Sequence, residues 1–457
     1  QALEEMVLLQ KLMRGLGSQH VDFRLRQADF NGDPINRGTP WLGMPIADFN
    51  QLDAVLVVGS NLRTDHALLA HRLREAAKRG ARLNVLHTHE KPLAIKHTSS
   101  SVVLPSRLEA ALVDILLAVY ELRGAPAPAH VVTLGELAGA TETRQAWSKQ
   151  VAQQLLDKAG SAILLGNFAQ HHPHALRLHA VAHEIARETQ SKFGFLGEAA
   201  NSVGGFIAQA VPYDASGVHG LNALRMLTEA RKGYILLGVE PELDSYDPSV
   251  AMAAIKQADF VVALSAYRHQ AEKYAQVMLP IAPFTETAGT FVSTEGRVQH
   301  FNGVVAPLGE TRPAWKVMRV LGNLLGLAGF EQDSVEAVRQ EIAPDLQAHV
   351  NARLSNTIDA SVVASMAGAN GIALEPAAGK LERITEVNLY EADAIVRRAS
   401  ALQATRDARV PSLAINRALF TQLKLRPGGA AAVRQAQRTT TLPVTIDDSV
   451  PSGCVRI

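Results

Sequence analysis

The chain has 457 residues, 47% of them hydrophobic and 19% charged, with a net charge of +1 at neutral pH. That length exceeds what one hydrophobic core supports and points to several domains. The near-zero, dispersed charge excludes a surface built for nucleic acid or an anionic membrane. The single cysteine, Cys454, excludes an internal disulfide, a cysteine-rich zinc site and an iron–sulfur cluster, each of which needs several thiols. One thiol also suits a reducing compartment.

Gln1 stands where an initiator Met would, and the first residues already carry helical periodicity, so the sequence reads as a fragment or processed chain. No apolar run approaches the roughly 20 residues that span a bilayer, so membrane association is expected only through partners. The first helix is expected over about Leu3 to Arg14, where Leu9, Leu12, Met13 and Leu16 form a stripe at i, i+3, i+4 and i+7. A β-α-β unit follows: a strand over Ala54 to Val58, a turn at Gly59-Ser60-Asn61, a helix from Asp65 to Lys78 behind Thr64, and a returning strand from Arg82 to Leu86.

The strand-then-glycine pattern recurs at Ala162 to Leu165 before Gly166 and at Tyr234 to Leu237 before Gly238. A glycine there lets the chain turn sharply at the C-terminal edge of a parallel sheet, where open α/β folds take ligands. A fourth unit runs through a strand at Phe260 to Leu264, a helix over Ala266 to Ala275 and a strand from Val277. The fold class expected is α/β, with two doubly wound parallel-sheet domains, a helical segment and a partial C-terminal β-barrel. The domain ranges are 1–125 and 150–330 for the two α/β domains, 331–420 for a mostly helical connection with loops near Asn356 and Gly371, and 421–457 for the truncated barrel.

Residues 284–306 read as a β-meander. Gly289 opens an extended run, Glu295-Gly296 turns it, Val298 to Phe301 returns it, and Asn302-Gly303 carries a two-residue hairpin signal. Glu286, Glu295 and Arg297 therefore lie at turns, where carboxylates and a guanidinium either serve chemistry or pin loops; ion-pair networks outnumber catalytic ones, which favours pinning.

Among 16 histidines, His171, His172, His174, His179 and His183 crowd one segment. His179 and His183 at i, i+4 share a helix face, yet the His-Glu-x-x-His order is absent and no third ligand is evident. His87-Thr-His89 shares a face only while the strand continues, and a loop is expected there, so no metal site is assigned. Asn201-Ser-Val-Gly-Gly205 reads as a flexible loop able to approach a ligand or simply to connect. Neither G-x-G-x-x-G after a strand, nor G-x-x-x-x-G-K-[ST], nor G-x-S-x-G occurs.

Taken together, Val21-Asp-Phe-Arg-Leu-Arg-Gln27, Trp41-Leu-Gly43, Leu56-Val-Val-Gly-Ser-Asn61, Ala200-Asn-Ser-Val-Gly204, Gly289 to Gln299 and Arg312-Pro-Ala-Trp-Lys316 carry a family likeness. The set resembles the molybdopterin-oxidoreductase-like part of the G subunit of bacterial NADH-quinone oxidoreductase, respiratory complex I. The resemblance implies the formate dehydrogenase-like architecture. It also implies 2Fe-2S and 4Fe-4S clusters in an N-terminal region absent from this sequence, peripheral-arm subunits as partners, and a place on the cytoplasmic face of the inner membrane. The departures are as informative. Leu62 follows Asn61 and Ala67 follows His66, where molybdoenzyme relatives usually carry prolines, and Pro105-Ser-Arg107 stands for their proline-glycine-threonine-aspartate loop. The expectation is a non-catalytic scaffold with no cofactor in this segment and a vestigial pterin cleft at Gly59, Asn61, Glu295, Gly296 and Arg297. The alternative is an active molybdopterin-dependent oxidoreductase of the formate dehydrogenase type.

Overall fold

The computed structural model describes every residue except 36–37, 91, 97, 139–141, 215, 369–379 and 409. Contacts divide the chain into two compact units. The N-terminal unit comprises residues 1–43, 171–173 and 197–356, and the C-terminal unit comprises 44–170, 174–196 and 357–457.

The C-terminal unit is organised on β1 (Ala54–Val58), β2 (Arg82–His87), β3 (Ser99–Val102), β4 (Ser161–Leu165) and β5 (Lys192–Phe195). They form one parallel sheet in the order β3-β2-β1-β4-β5. All five residues of β1 and of β4 are buried, as expected for strands covered on both faces. The Leu108–Leu122 helix, apolar on almost every side, lies in the core with Val151 and Leu155 of the Glu142–Asp157 helix and Leu178 and Ile185 of the Ala175–Thr189 helix. The Ala162 to Leu165 strand, expected with the second α/β domain, thus pairs with β1 in the first sheet. Its apolar pattern is indistinguishable locally from that of Tyr234 to Leu237, and only the long-range pairing separates them.

The N-terminal unit holds β6 (Gly233–Leu237), β7 (Phe260–Ser265) and β8 (Val277–Pro280), parallel in the order β8-β7-β6. The expected helix over Ala266 to Ala275 is a single 3₁₀ turn at Gln270–Lys273, because the Ser265 hydroxyl accepts from the Tyr267 N–H and holds the start of the crossover in a turn. The hairpin of β9 (Gly289–Val292) and β10 (Val298–Phe301) turns at Ser293 to Arg297, with Gly296 at φ +82°. Asn302-Gly303 makes no second hairpin; the Val304 N–H instead bonds the Thr285 carbonyl and folds the chain back along the loop before β9.

Residues 331–420 are not one helical connection. The Val335–Ile342 and Leu346–Arg353 helices belong to the N-terminal unit, whereas β11 (Glu382–Ile384) and β12 (Leu413–Ile415) join the last sheet. Gly371 lies outside the described residues. β11 and β12 combine with β13 (Ala430–Gln435), β14 (Arg438–Ile446) and β15 (Cys454–Arg456) in the order β11-β15-β12-β14-β13. The C-terminal strands are therefore part of a larger mixed sheet, with β12 parallel to β14 and antiparallel to β15.

Candidate functional site

In an open α/β sheet the ligand crevice lies where the strand order reverses, outside the C-terminal strand ends. Here that point lies between β1 and β4, at Gly59-Ser60-Asn61 and Gly166. The chain itself fills it. Gly59 sits at φ +60°, and a Cβ there would come within 2.7 Å of the Ala169 nitrogen. A Cβ on Gly166 would come within 2.2 Å of the Ser60 Cβ. The Gly166 N–H donates to the Val58 carbonyl at 2.8 Å and the Phe168 N–H to the Gly59 carbonyl at 2.9 Å. The glycines thus allow backbone to meet backbone rather than backbone to meet a ligand.

The expected helix over Asp65 to Lys78 is broken into Leu62–Asp65 and Ala67–Lys78. His66, at φ −136°, interrupts it and places Nδ1 at 3.3 Å from the Ser60 hydroxyl, so Thr64 caps nothing. Asn61 precedes the short segment without a side-chain capping bond. A four-residue helix presents little of the aligned dipole that would hold a pyrophosphate.

Beside this turn, the ends of β2 and β11 bring together groups that the sequence does not connect. His87 and His89 are 4% and 2% exposed, and their rings meet edge to face with centroids 4.8 Å apart. Although the strand ends at His87, the two rings do converge, contrary to the expectation for a loop. Glu386 lies 3.8 Å from His87 Nε2 and 3.6 Å from His89 Nε2. A cavity of about 30 Å³ adjoins them, lined by Ser60, His87, His89, Glu90 and Leu93 among others.

Glu295, Gly296 and Arg297 belong to the other unit and are turn-fixing residues. Arg297 Nε lies 3.0 Å from Glu295, and its side chain is 66% exposed. Gly296 is buried, and a Cβ there would meet Leu354 at 2.4 Å. Gln347 holds the turn from both sides, donating to the Gly296 carbonyl and accepting from the Val298 N–H, each at 2.9 Å. Glu286 accepts from the Leu308 N–H at 2.9 Å, a loop clamp.

The outer edge of β9 is closed by two side chains. Glu4, fully buried, accepts from the Thr290 N–H at 2.9 Å and the Thr290 hydroxyl at 2.6 Å, and faces Arg339 at 3.3 Å. Asn201 accepts from the Val292 N–H at 2.8 Å. Asn201 to Gly205 is accordingly the cap and start of a Ser202–Ile207 helix rather than a flexible loop. An open groove of about 590 Å³ runs past β10, lined by His300, Glu336 and Arg339. Its Arg339 is already engaged by Glu4, Thr290 and Glu336.

The crowded histidines are mostly structural. His171 pairs with Glu198 at 3.1 Å, and His174 lies 3.6 Å from Glu109, which also takes a bidentate Arg177 at 2.7 and 2.8 Å. His179 stacks on Phe193 with an interplanar angle of 3°, and His183 meets the same ring edge on. Burial lowers the His183 pKa.

Parallel α/β sheets with helices on both faces, followed by a mixed C-terminal sheet, define the class. Within that class, residues 1–324 match the molybdopterin oxidoreductase family, and the chain belongs to that family. It is 25% identical over 399 residues to a protein named as the oxidoreductase YjgC of Bacillus subtilis (strain 168), covering 74% of this chain and 40% of that protein. It is 33% identical over 91 residues to one named as a formate dehydrogenase in Staphylococcus aureus (strain USA300), covering 20% of this chain and 9% of that protein. The chain thus spans well under half the length of these relatives. Acetylene hydratase from Pelobacter acetylenicus shares the fold, with a TM-score of 0.58 at 14% identity over 98% of this chain and 74% of that one.

The family implies a molybdopterin, and the residues at this sheet edge do not fit one. Pockets for such ligands measure hundreds of Å³, whereas the cavity beside Ser60 and His87 measures about 30 Å³. The switch point holds backbone. The single thiol, Cys454, is 0% exposed, and burial together with nearby Glu382 pushes its pKa up to about 12.

Proposed function

We propose that this chain is the molybdoenzyme-like region of the G subunit of bacterial NADH-quinone oxidoreductase, and that it braces the peripheral arm without binding a pterin. Electrons from NADH would travel to quinone through 2Fe-2S and 4Fe-4S clusters in the subunit's N-terminal region, while this region fixes the position of its neighbours. In that setting it lies on the cytoplasmic face of the inner membrane and meets the membrane only through the complex. No described helix is long and apolar enough to cross a bilayer.

The observation that carries this reading is the closed switch point: Gly59 and Gly166 are spaced for the chain's own backbone. A shared fold does not bring its chemistry with it. The likeness of the six motifs, from Val21 to Gln27 through Arg312 to Lys316, supplies the link to the G subunit. The second reading, a molybdopterin-dependent enzyme of the formate dehydrogenase type, rests on the names of the relatives.

One experiment separates them. The tagged protein is isolated from its own cells grown with molybdate and tungstate, and the preparation is assayed for both metals and for NADH oxidation. The scaffold reading expects neither metal and recovery of an NADH-oxidising complex. Stoichiometric molybdenum or tungsten, or recovery of the protein without any NADH-oxidising partner, overturns it.

A further inference from the structure

We propose that His87, His89 and Glu386 bind one divalent transition-metal ion in tetrahedral coordination, zinc in preference to iron, with a solvent molecule as the fourth ligand. One ligand atom from each of the three residues lies within 4.8 Å of the other two. Zinc–nitrogen and zinc–oxygen bonds of about 2.0–2.1 Å set tetrahedral ligand separations at about 3.4 Å. The 3.6 and 3.8 Å spacings from Glu386 to the two imidazoles are within a few tenths of an ångström of that value.

The tripod is held from several directions. His87 ends β2 and packs against the Phe168 ring at 5.6 Å. Glu386 follows β11, whose Glu382 is clamped by the Ser106 N–H at 2.8 Å and the Ser106 hydroxyl at 2.6 Å. Both imidazoles are nearly excluded from solvent, as is the clamp at Ser106, 7% exposed. The cavity of about 30 Å³ against His87 and His89 has room for a solvent ligand. That leaves one open position, as in zinc sites with three protein ligands. Ferrous iron stands below zinc in the affinity that a given nitrogen and oxygen site has for divalent first-row metals.

The competing arrangement is a metal-free cluster. The Thr88 N–H lies 2.8 Å from His87 Nδ1, an acceptor geometry that puts the imidazole proton on Nε2, toward Glu386. Metal binding instead needs Nε2 free of its proton and Nδ1 protonated, so the His87 ring must turn away from the Thr88 N–H, which cannot donate to a protonated Nδ1, and toward the Thr88 hydroxyl, 3.4 Å away, which would accept. Zinc here would fasten the segment after β11 to the end of β2.

The test uses the whole protein, stripped with a chelator and titrated with cobalt(II), then zinc. The expected result is one cobalt per chain with the strong visible absorption of tetrahedral cobalt, displaced by one zinc. Glu386→Gln and His89→Gln should each weaken cobalt binding by about 100-fold or more, beyond the loss typical of a residue outside the coordination sphere. His183→Gln, in the aromatic cluster, should leave binding unchanged. Circular dichroism and thermal midpoints of the metal-free variants establish that they fold, and Glu386→Gln, which keeps the side-chain shape, is the decisive one. Absence of saturable binding, a weak octahedral spectrum, or a full-strength spectrum in folded Glu386→Gln overturns the proposal. Molybdenum and tungsten analysis is unaffected by either outcome, so this site and the scaffold reading stand or fall separately.

Discussion

Gly59→Ala tests whether the first glycine turn serves the protein's own packing. At φ +60° an alanine bears the left-handed penalty of about 1–2 kcal/mol. Its Cβ would also lie 2.7 Å from the Ala169 nitrogen and 3.1 Å from the Ala169 Cβ. Forcing a methyl into packed surroundings costs about 1–3 kcal/mol more. The sum, about 2–5 kcal/mol, corresponds to a fall of about 4–20 °C in the melting transition of a unit of this size. Gly166→Ala isolates the packing contribution, because Gly166 is not left-handed and its Cβ would lie 2.2 Å from Ser60. The assay is calorimetry of the two variants beside wild type, with urea unfolding followed by circular dichroism. A Gly59→Ala protein that loses no more than the left-handed penalty would show that the Ala169 side of the turn is open, and would remove the observation on which the scaffold reading stands.

Four further outcomes follow from the contacts. Arg297→Ala should cost less than about 1 kcal/mol, since its guanidinium is 66% exposed. Gly296→Ala, at φ +82° and 2.4 Å from Leu354, should cost several-fold more, as measured by urea midpoints. Removing the buried partner of Arg177 by Glu109→Gln should cost about 3–5 kcal/mol at neutral pH. Burial raises the Glu109 pKa, but His174 and Arg177 outweigh it and hold the folded value below the ordinary 4.5. The unfolded chain therefore takes up the proton first, and the gap between wild type and variant should be full above about pH 4.5 and shrink as pH falls through the lower folded value; a gap independent of pH down to acid unfolding would refute the assignment. Cys454, buried with its pKa pushed up to about 12, should resist an aromatic disulfide reagent in the native protein and react fully in denaturant. Rapid native labelling would show the C-terminal sheet to be open.

What the sequence makes legible is local. Ala54 to Val58 announces a covered parallel strand because five aliphatic residues run without a polar break, and Gly59 announces the turn. The sheet to which each strand belongs is not local, which is why Ala162 to Leu165 and Tyr234 to Leu237 read alike and part company in the fold. The residues that hold the β9–β10 hairpin are hidden for the same reason. Glu4 reads as a first-turn carboxylate favoured by the helix dipole, and nothing near it in the chain indicates that its oxygens will close the edge of a strand 286 residues away. Gln347 likewise reads as a solvated helix position, yet both of its amide groups serve the Gly296 turn.

The same strand-glycine signature at residue 59 would accompany an open ligand site or a closed one, because in both the chain must turn sharply at the sheet edge. The difference lies in what approaches the glycine. A ligand site needs the strand to lead directly into a helix whose N-terminal N–H groups face the crevice. Here the segment after β1 breaks at His66, which turns back toward Ser60, while the chain after β4 supplies Phe168 and Ala169 to cover the turn. At the neighbouring end of β2 polar groups collect: two buried imidazoles, a carboxylate carried in from the C-terminal sheet, and a small cavity with room for solvent. The glycines at 59 and 166 permit the backbone-on-backbone packing that fills the switch point, whereas the proposed cation site at the end of β2 rests on a separate convergence, that of His87, His89 and Glu386.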